Sequence, residues 1–142
     1  MRAWMLSIGV ALLLGGCPTD PGTGTGDGNG NVSNVSLSRD VQPIMTDKCA
    51  GCHSVGGFAE RSGIPVLLND GETHSQIVNV ASAVDDTLTF VVPGDPDASY
   101  FLEKVASDAP TRGARMPLFG APLSDAESET IRTWILEGAE DN

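Results

Sequence analysis

The stretch "DKCAGCH", Asp47 to His53, holds two of the chain's three cysteines and one of its two histidines. Its reading decides the fold, because the residues on either side must deliver these side chains to one place. Upstream, "SRDVQPIMT" runs from Ser38 to Thr46. Asp40 suits a helix N-cap, and Pro43 then falls in the first turn, where its missing N–H costs no intrahelical bond. Val41, Ile44 and Met45 recur at helical spacing and form an apolar face. The stretch is thus expected at the C-terminal end of a helix. Downstream, "GGFAERSGIPVLLNDG", Gly56 to Gly71, reads as loop with a short extended piece.

Further along, "ETHSQIVNVAS", Glu72 to Ser82, suits a short helix. "TLTFVVPGDP", Thr87 to Pro96, alternates and is β-branched, as in a short strand stopped by its prolines. "DASYFLEKVASD", Asp97 to Asp108, reads as a helix capped by Asp97 or Ser99, burying Tyr100 or Phe101 with Leu102 and Val105. "APTRGARMPLFGAPL", Ala109 to Leu123, is too rich in Gly and Pro for anything but loop. The last segment, "SDAESETIRTWILEGA", carries the clearest helical pattern. Ser124 and Glu127 have capping-box spacing, Ile131, Trp134 and Ile135 form one stripe, and Gly138 supplies a stop. The expected fold is a small all-α domain over residues 37–142, with a short β element admitted in its middle.

The first residues follow other rules. "MRAWMLSIGVALLLGGC" has one basic residue, Arg2, and an apolar run from Ala3 to Leu14. That run is short for a bilayer span and fits a signal-peptide core. Its end, "LGGC", Leu14 to Cys17, resembles the lipobox of bacterial lipoproteins. The resemblance implies a signal peptide over residues 1–16 and a lipidated Cys17. Residues 17–36 continue as a Gly-rich, nearly apolar-free segment that cannot offset its ordering entropy and is expected to be a disordered tether. A coil of that length spans roughly 25 Å. The expected location is therefore a periplasm-facing or cell-surface membrane. Pro18 gives no inner-membrane retention signal, which favours the outer membrane.

The net charge is -11, with 8 basic against 19 acidic residues. Such a surface disfavours nucleic acid and anionic lipid heads and favours partners with a basic docking face.

Cys-x-x-Cys-His is the attachment signature for c-type haem. Two thiols at this spacing can each form a thioether with one porphyrin vinyl group, and the adjacent His53 can offer its imidazole to the iron. Three competitors remain. An exported chain could form a Cys49–Cys52 disulfide. A thioredoxin-like redox site usually accompanies a βαβ pattern, which this sequence lacks. Zinc needs four ligands, and residues 37–142 supply as soft donors only Cys49, Cys52, His53 and His74. For a second axial ligand, Met1 and Met5 leave with the signal peptide, and Met45 faces the core of its helix. Met116, in the helix-breaking "GARMPLFG", is the candidate, with His74 or an open five-coordinate iron as alternatives.

With these motifs in place, Leu37 to Ala139 resembles a class I c-type cytochrome domain. "DVQPIMTDKCAGCH" resembles its first helix and haem motif, "RMP" its distal methionine loop, and "LSDAESETIRTWILEGA" its final helix. "VVPGDPDASYFLEKV" resembles a segment of bacterial lipoprotein cytochromes. The resemblance implies one covalent haem c, His53 and Met116 as axial ligands, and single-electron transfer between redox protein partners rather than enzymatic turnover. A haem-based gas sensor or peroxidase-like enzyme with an open distal site is the alternative. The resemblance also implies that a proline about a dozen residues past the histidine gives its carbonyl to the imidazole, which here designates Pro65. Arg112 and Arg115, just before Met116, are expected to pair with haem propionates.

Overall fold

The computed structural model describes residues 34–142, and the expected signal peptide, Cys17 and most of the tether lie outside the described residues. The fold begins with a wide π-helical turn, Leu37–Val41, that runs into helix α1, Gln42–Lys48. Its cap is Ser36, one residue before the expected start of the domain. The Ser36 hydroxyl accepts the Arg39 N–H, while the Asp40 carboxylate reaches back to the Ser36 N–H at 2.8 Å. Asp40, expected as the N-cap, therefore completes a cap set four residues earlier. Pro43 explains the wide turn. A proline crowds the carbonyl four residues before it. Here the preceding turn is opened, and the Gln42 N–H bonds back to the Leu37 carbonyl.

Helix α5, Asp125–Leu136, forms where its pattern predicted. The Ser124 hydroxyl accepts the Glu127 N–H, and the Glu127 carboxylate accepts the Ser124 N–H at 2.7 Å. Ile131, Trp134 and Ile135 are fully buried. Burying each side chain of this size contributes about 1.5–3 kcal/mol. The stripe packs with Val41 and Met45 from the first helix and with Phe101, Leu102 and Val105 from α4, Tyr100–Ala106. Gly138, at φ 110°, ends α5 in a conformation that favours glycine. Ser99 occupies the N-cap position of α4 but caps nothing. Its buried hydroxyl instead accepts the Val92 N–H at 2.9 Å and donates to the Asp95 carbonyl at 2.8 Å, closing the "VPGD" turn.

The middle of the chain overturns the all-α expectation. Two single-turn helices, α2 (Phe58–Arg61) and α3 (Thr73–Ile77), accompany a two-stranded antiparallel sheet of β1 (Ala81–Ser82) and β2 (Asp85–Thr89). The domain is therefore mixed rather than all-helical. The physical cause lies in the turn. The Asp85 carboxylate accepts both the Thr87 N–H, at 3.1 Å, and the Thr87 hydroxyl, at 2.6 Å, and the Ser82 hydroxyl accepts the Val84 N–H. Side-chain bonds of this kind compete with helix and favour turns. Asn79, at φ 58°, then redirects the chain, so that its N–H meets the Val91 carbonyl at 2.9 Å and Val91 is buried. The Phe101 N–H donates to the Phe90 carbonyl at 2.7 Å, which seats the hairpin segment on the start of α4.

Candidate functional site

Cys49 follows the last residue of α1, and its N–H still donates to the Met45 carbonyl at 2.9 Å. The chain then tightens: the N–H groups of Cys52 and His53 both donate to the Cys49 carbonyl, at 3.0 and 2.9 Å. Both cysteines are free thiols, Cys49 buried and Cys52 exposed. Burial first, then the neighbouring Cys52 and Glu127, push the Cys49 thiol up to about 11. It is therefore protonated at neutral pH and a poor nucleophile or metal ligand as it stands.

His53 Nδ1 lies 3.0 Å from the Val66 carbonyl oxygen. A carbonyl can only accept, so Nδ1 carries the proton and Nε2 keeps its lone pair. This corrects the assignment to Pro65 by one residue. The Val66 N–H closes a three-residue turn onto the Ile64 carbonyl at 2.9 Å, with Pro65 at its centre. The fixed φ of proline suits an inverse γ-turn. Pro65 shapes the turn, and the next carbonyl meets the imidazole. The Leu68 N–H returns to the His53 carbonyl at 2.9 Å and holds the two segments together.

Cys49, Cys52, His53 and Met116 line one cavity of about 640 Å³. Its walls are largely apolar, with Phe90 and Tyr100 stacked 6.2 Å apart on one side. Phe58 and Phe119 meet edge to face with centroids 5.5 Å apart, both also lining the cavity and both exposed. Neither aromatic was singled out in the sequence. A large aromatic in each of two Gly-containing stretches, Phe58 after Gly57 and Phe119 before Gly120, was the available signal.

The remaining candidates separate. Met45 is fully buried in the core, as its helical position predicted. Met116 packs against the core from the long loop, with its N–H on the Lys104 carbonyl at 2.7 Å. Arg112 lines the cavity and pairs with Asp85 at 2.8 Å. Arg115 is not among the lining residues. It donates to the Val105 carbonyl at 3.0 Å and pairs with Asp108 at 2.6 Å. His74 is also outside the cavity, its Nε2 3.0 Å from the Ala139 carbonyl. That contact holds the His74 ring at the segment after α5, away from the cavity that Cys49, Cys52, His53 and Met116 line. Among the described residues, no three His, Cys, Asp or Glu side chains gather as a metal site.

The chain matches no protein-family model, no curated protein and no solved structure.

Proposed function

We propose that this chain is a membrane-tethered, monohaem c-type cytochrome that passes single electrons between redox proteins, with His53 and Met116 as axial ligands. The observation that carries the reading is the shared cavity. It joins two thiols and an imidazole from one short motif to a thioether far away in the sequence, inside apolar walls. Its volume lies within the roughly 300–1,000 Å³ typical of cofactor and ligand sites.

The residues present fit haem c. Each thiol would add across one vinyl group, its sulfur bonding one vinyl carbon and its hydrogen going to the other. A protonated Nδ1 leaves His53 Nε2 as the iron-binding nitrogen, and the bond to Val66 raises its basicity. Met116 would offer the same group a soft, neutral sulfur from the cavity wall. The bound iron would supply a one-electron couple, while the chain sets ligation and burial. Arg112, at the cavity wall, is the candidate partner of a propionate. Lipidation of Cys17 would anchor the domain, and the acidic surface would steer a basic partner, an attraction that weakens with salt.

Protein matured with the cytochrome c attachment machinery should keep its colour through acid–acetone extraction, and loss of colour there refutes covalent haem. The oxidised form should show the weak far-red band of methionine-bound iron. Rapid CO binding to the reduced protein would instead indicate the sensor alternative. Intact mass of the native protein reports the state of Cys17.

A further inference from the structure

One face of α4 holds the loop that carries Met116. The Glu103 carboxylate accepts the Thr111 N–H and, at 2.8 Å, its hydroxyl. The Tyr100 hydroxyl donates to the Arg112 carbonyl at 2.7 Å. The Lys104 ammonium donates to that same carbonyl at 3.1 Å and also to the carbonyl of Ala114. The Lys104 backbone carbonyl then receives the Met116 N–H at 2.7 Å. Contacts at four loop positions, Thr111, Arg112, Ala114 and Met116, thus advance along the loop while the helix spans little more than one turn.

Gly113 reveals that the loop is built around the ammonium. Its φ is +65°, a conformation that disfavours side chains. A Cβ built there would also lie 3.1 Å from Lys104 Nζ. The turn at Gly113 brings the carbonyls on either side of it onto one cation. An ammonium offers three donors and no acceptor, which matches two converging carbonyls. Nζ also lies 5.9 Å from the centre of the Tyr100 ring, so the two gripping side chains support each other.

We infer that Lys104 and Tyr100 are positioning residues for Met116: they fix the path of residues 112–114 around the ammonium and so hold the thioether at the cavity. Neither need touch the iron. The inference rests on the His53/Met116 reading and deepens it, because a loop lacking helix or sheet of its own must take its register from a neighbour. It also explains why Met116 can sit among helix breakers without losing a defined place.

The test uses the full chain carrying haem, in wild type, Lys104→Met, Lys104→Arg, Tyr100→Phe and Met116→Ala. Lys104→Met keeps an apolar stem of similar length and removes the charged donor group. Three quantities are read: hydrogen exchange of the 111–116 segment, the far-red band, and the rate of imidazole binding to the oxidised protein. Lys104→Met and Tyr100→Phe should each speed exchange of 111–116 about fivefold, with α5 unchanged as a control for folding. Both should weaken the band and speed imidazole binding by a similar factor, and Lys104→Arg should recover most of the loss. Unchanged exchange and band in Lys104→Met overturn the inference. So does loss of protection spread equally over α5, which marks a general loss of stability. A wild type without the band, or a Met116→Ala protein that keeps it, overturns the His53/Met116 reading instead, and the exchange data still report whether the grip exists.

Discussion

His53 Nδ1 and the Val66 carbonyl oxygen stand 3.0 Å apart, and the turn that brings them together is centred on Pro65. The bond selects the tautomer and makes Nε2 the better donor to a metal. Replacing Pro65 by Gly removes the restraint on that turn without touching the acceptor. In the haem-loaded protein the weaker donor favours the reduced iron, so the reduction potential should rise. A shift on the order of 30 mV is expected, about half of the ~59 mV that a tenfold change represents for one electron. A redox titration followed in the visible range checks this, and a fall in potential would contradict the role given to the Val66 bond.

Trp134 is the largest fully buried side chain, and its indole N–H donates to the Glu140 carbonyl at 3.0 Å. Trp134→Ala should cost about 3–5 kcal/mol through lost burial and the cavity left behind. Urea denaturation gives the number directly. A loss below about 1 kcal/mol would mean that α5 is not central to the core.

Ser124→Ala tests the α5 capping box and its pH dependence. At neutral pH the loss should be about 1 kcal/mol. Hydrogen bonds from the Ser124 N–H and hydroxyl, more than the charge of Lys48, hold the Glu127 carboxyl below its ordinary value of 4.5. A depressed folded value means this stabilisation is fully present above 4.5 and fades as pH falls through the folded value. The gap between wild type and variant should therefore be smaller at about pH 3 than at about pH 7. A gap that widens in acid would reverse the sign of the linkage.

His74→Ala separates a structural histidine from an axial one. The His74 ring is engaged with the Ala139 carbonyl, so its removal should cost on the order of 1 kcal/mol and leave the visible spectrum unchanged. Met116→Ala should do the opposite, abolishing the far-red band. Exchange of these two outcomes would move the ligand from Met116 to His74.

The sequence carried local, periodic information well. The Ile131, Trp134 and Ile135 stripe and the Ser124–Glu127 box both lie within one helix, where spacing alone determines which side chains meet. Elimination among the methionines singles out Met116 as a candidate, and the structure places it on the wall of the same cavity as Cys49, Cys52 and His53. What escaped was set by side-chain hydrogen bonds in short turns and by tertiary contact. The hairpin at Ala81 to Thr89 depends on Asp85 bonding Thr87, and the first helix depends on a serine ahead of its apolar pattern. The choice of Val66 over Pro65 depends on which carbonyl a three-residue turn brings to an imidazole, and spacing cannot resolve a single residue. Arg112 and Arg115 lie three residues apart in one loop, but only Arg112 lines the cavity, because Arg115 is drawn to the end of α4.

The junction between the two ends of the described chain has a mechanical meaning. Val35 donates to Glu137 at 2.7 Å, the Ser36 hydroxyl and Ser38 N–H both reach the Asn142 carbonyl, and Leu37 donates to the Asn142 side chain. Tension arriving along the backbone at Asn34 would meet this clasp first and pass into the segment after α5. None of the clasp residues lines the cavity. Strain entering at Asn34 would then be taken up by these end contacts, and the geometry around His53 and Met116 would be spared it.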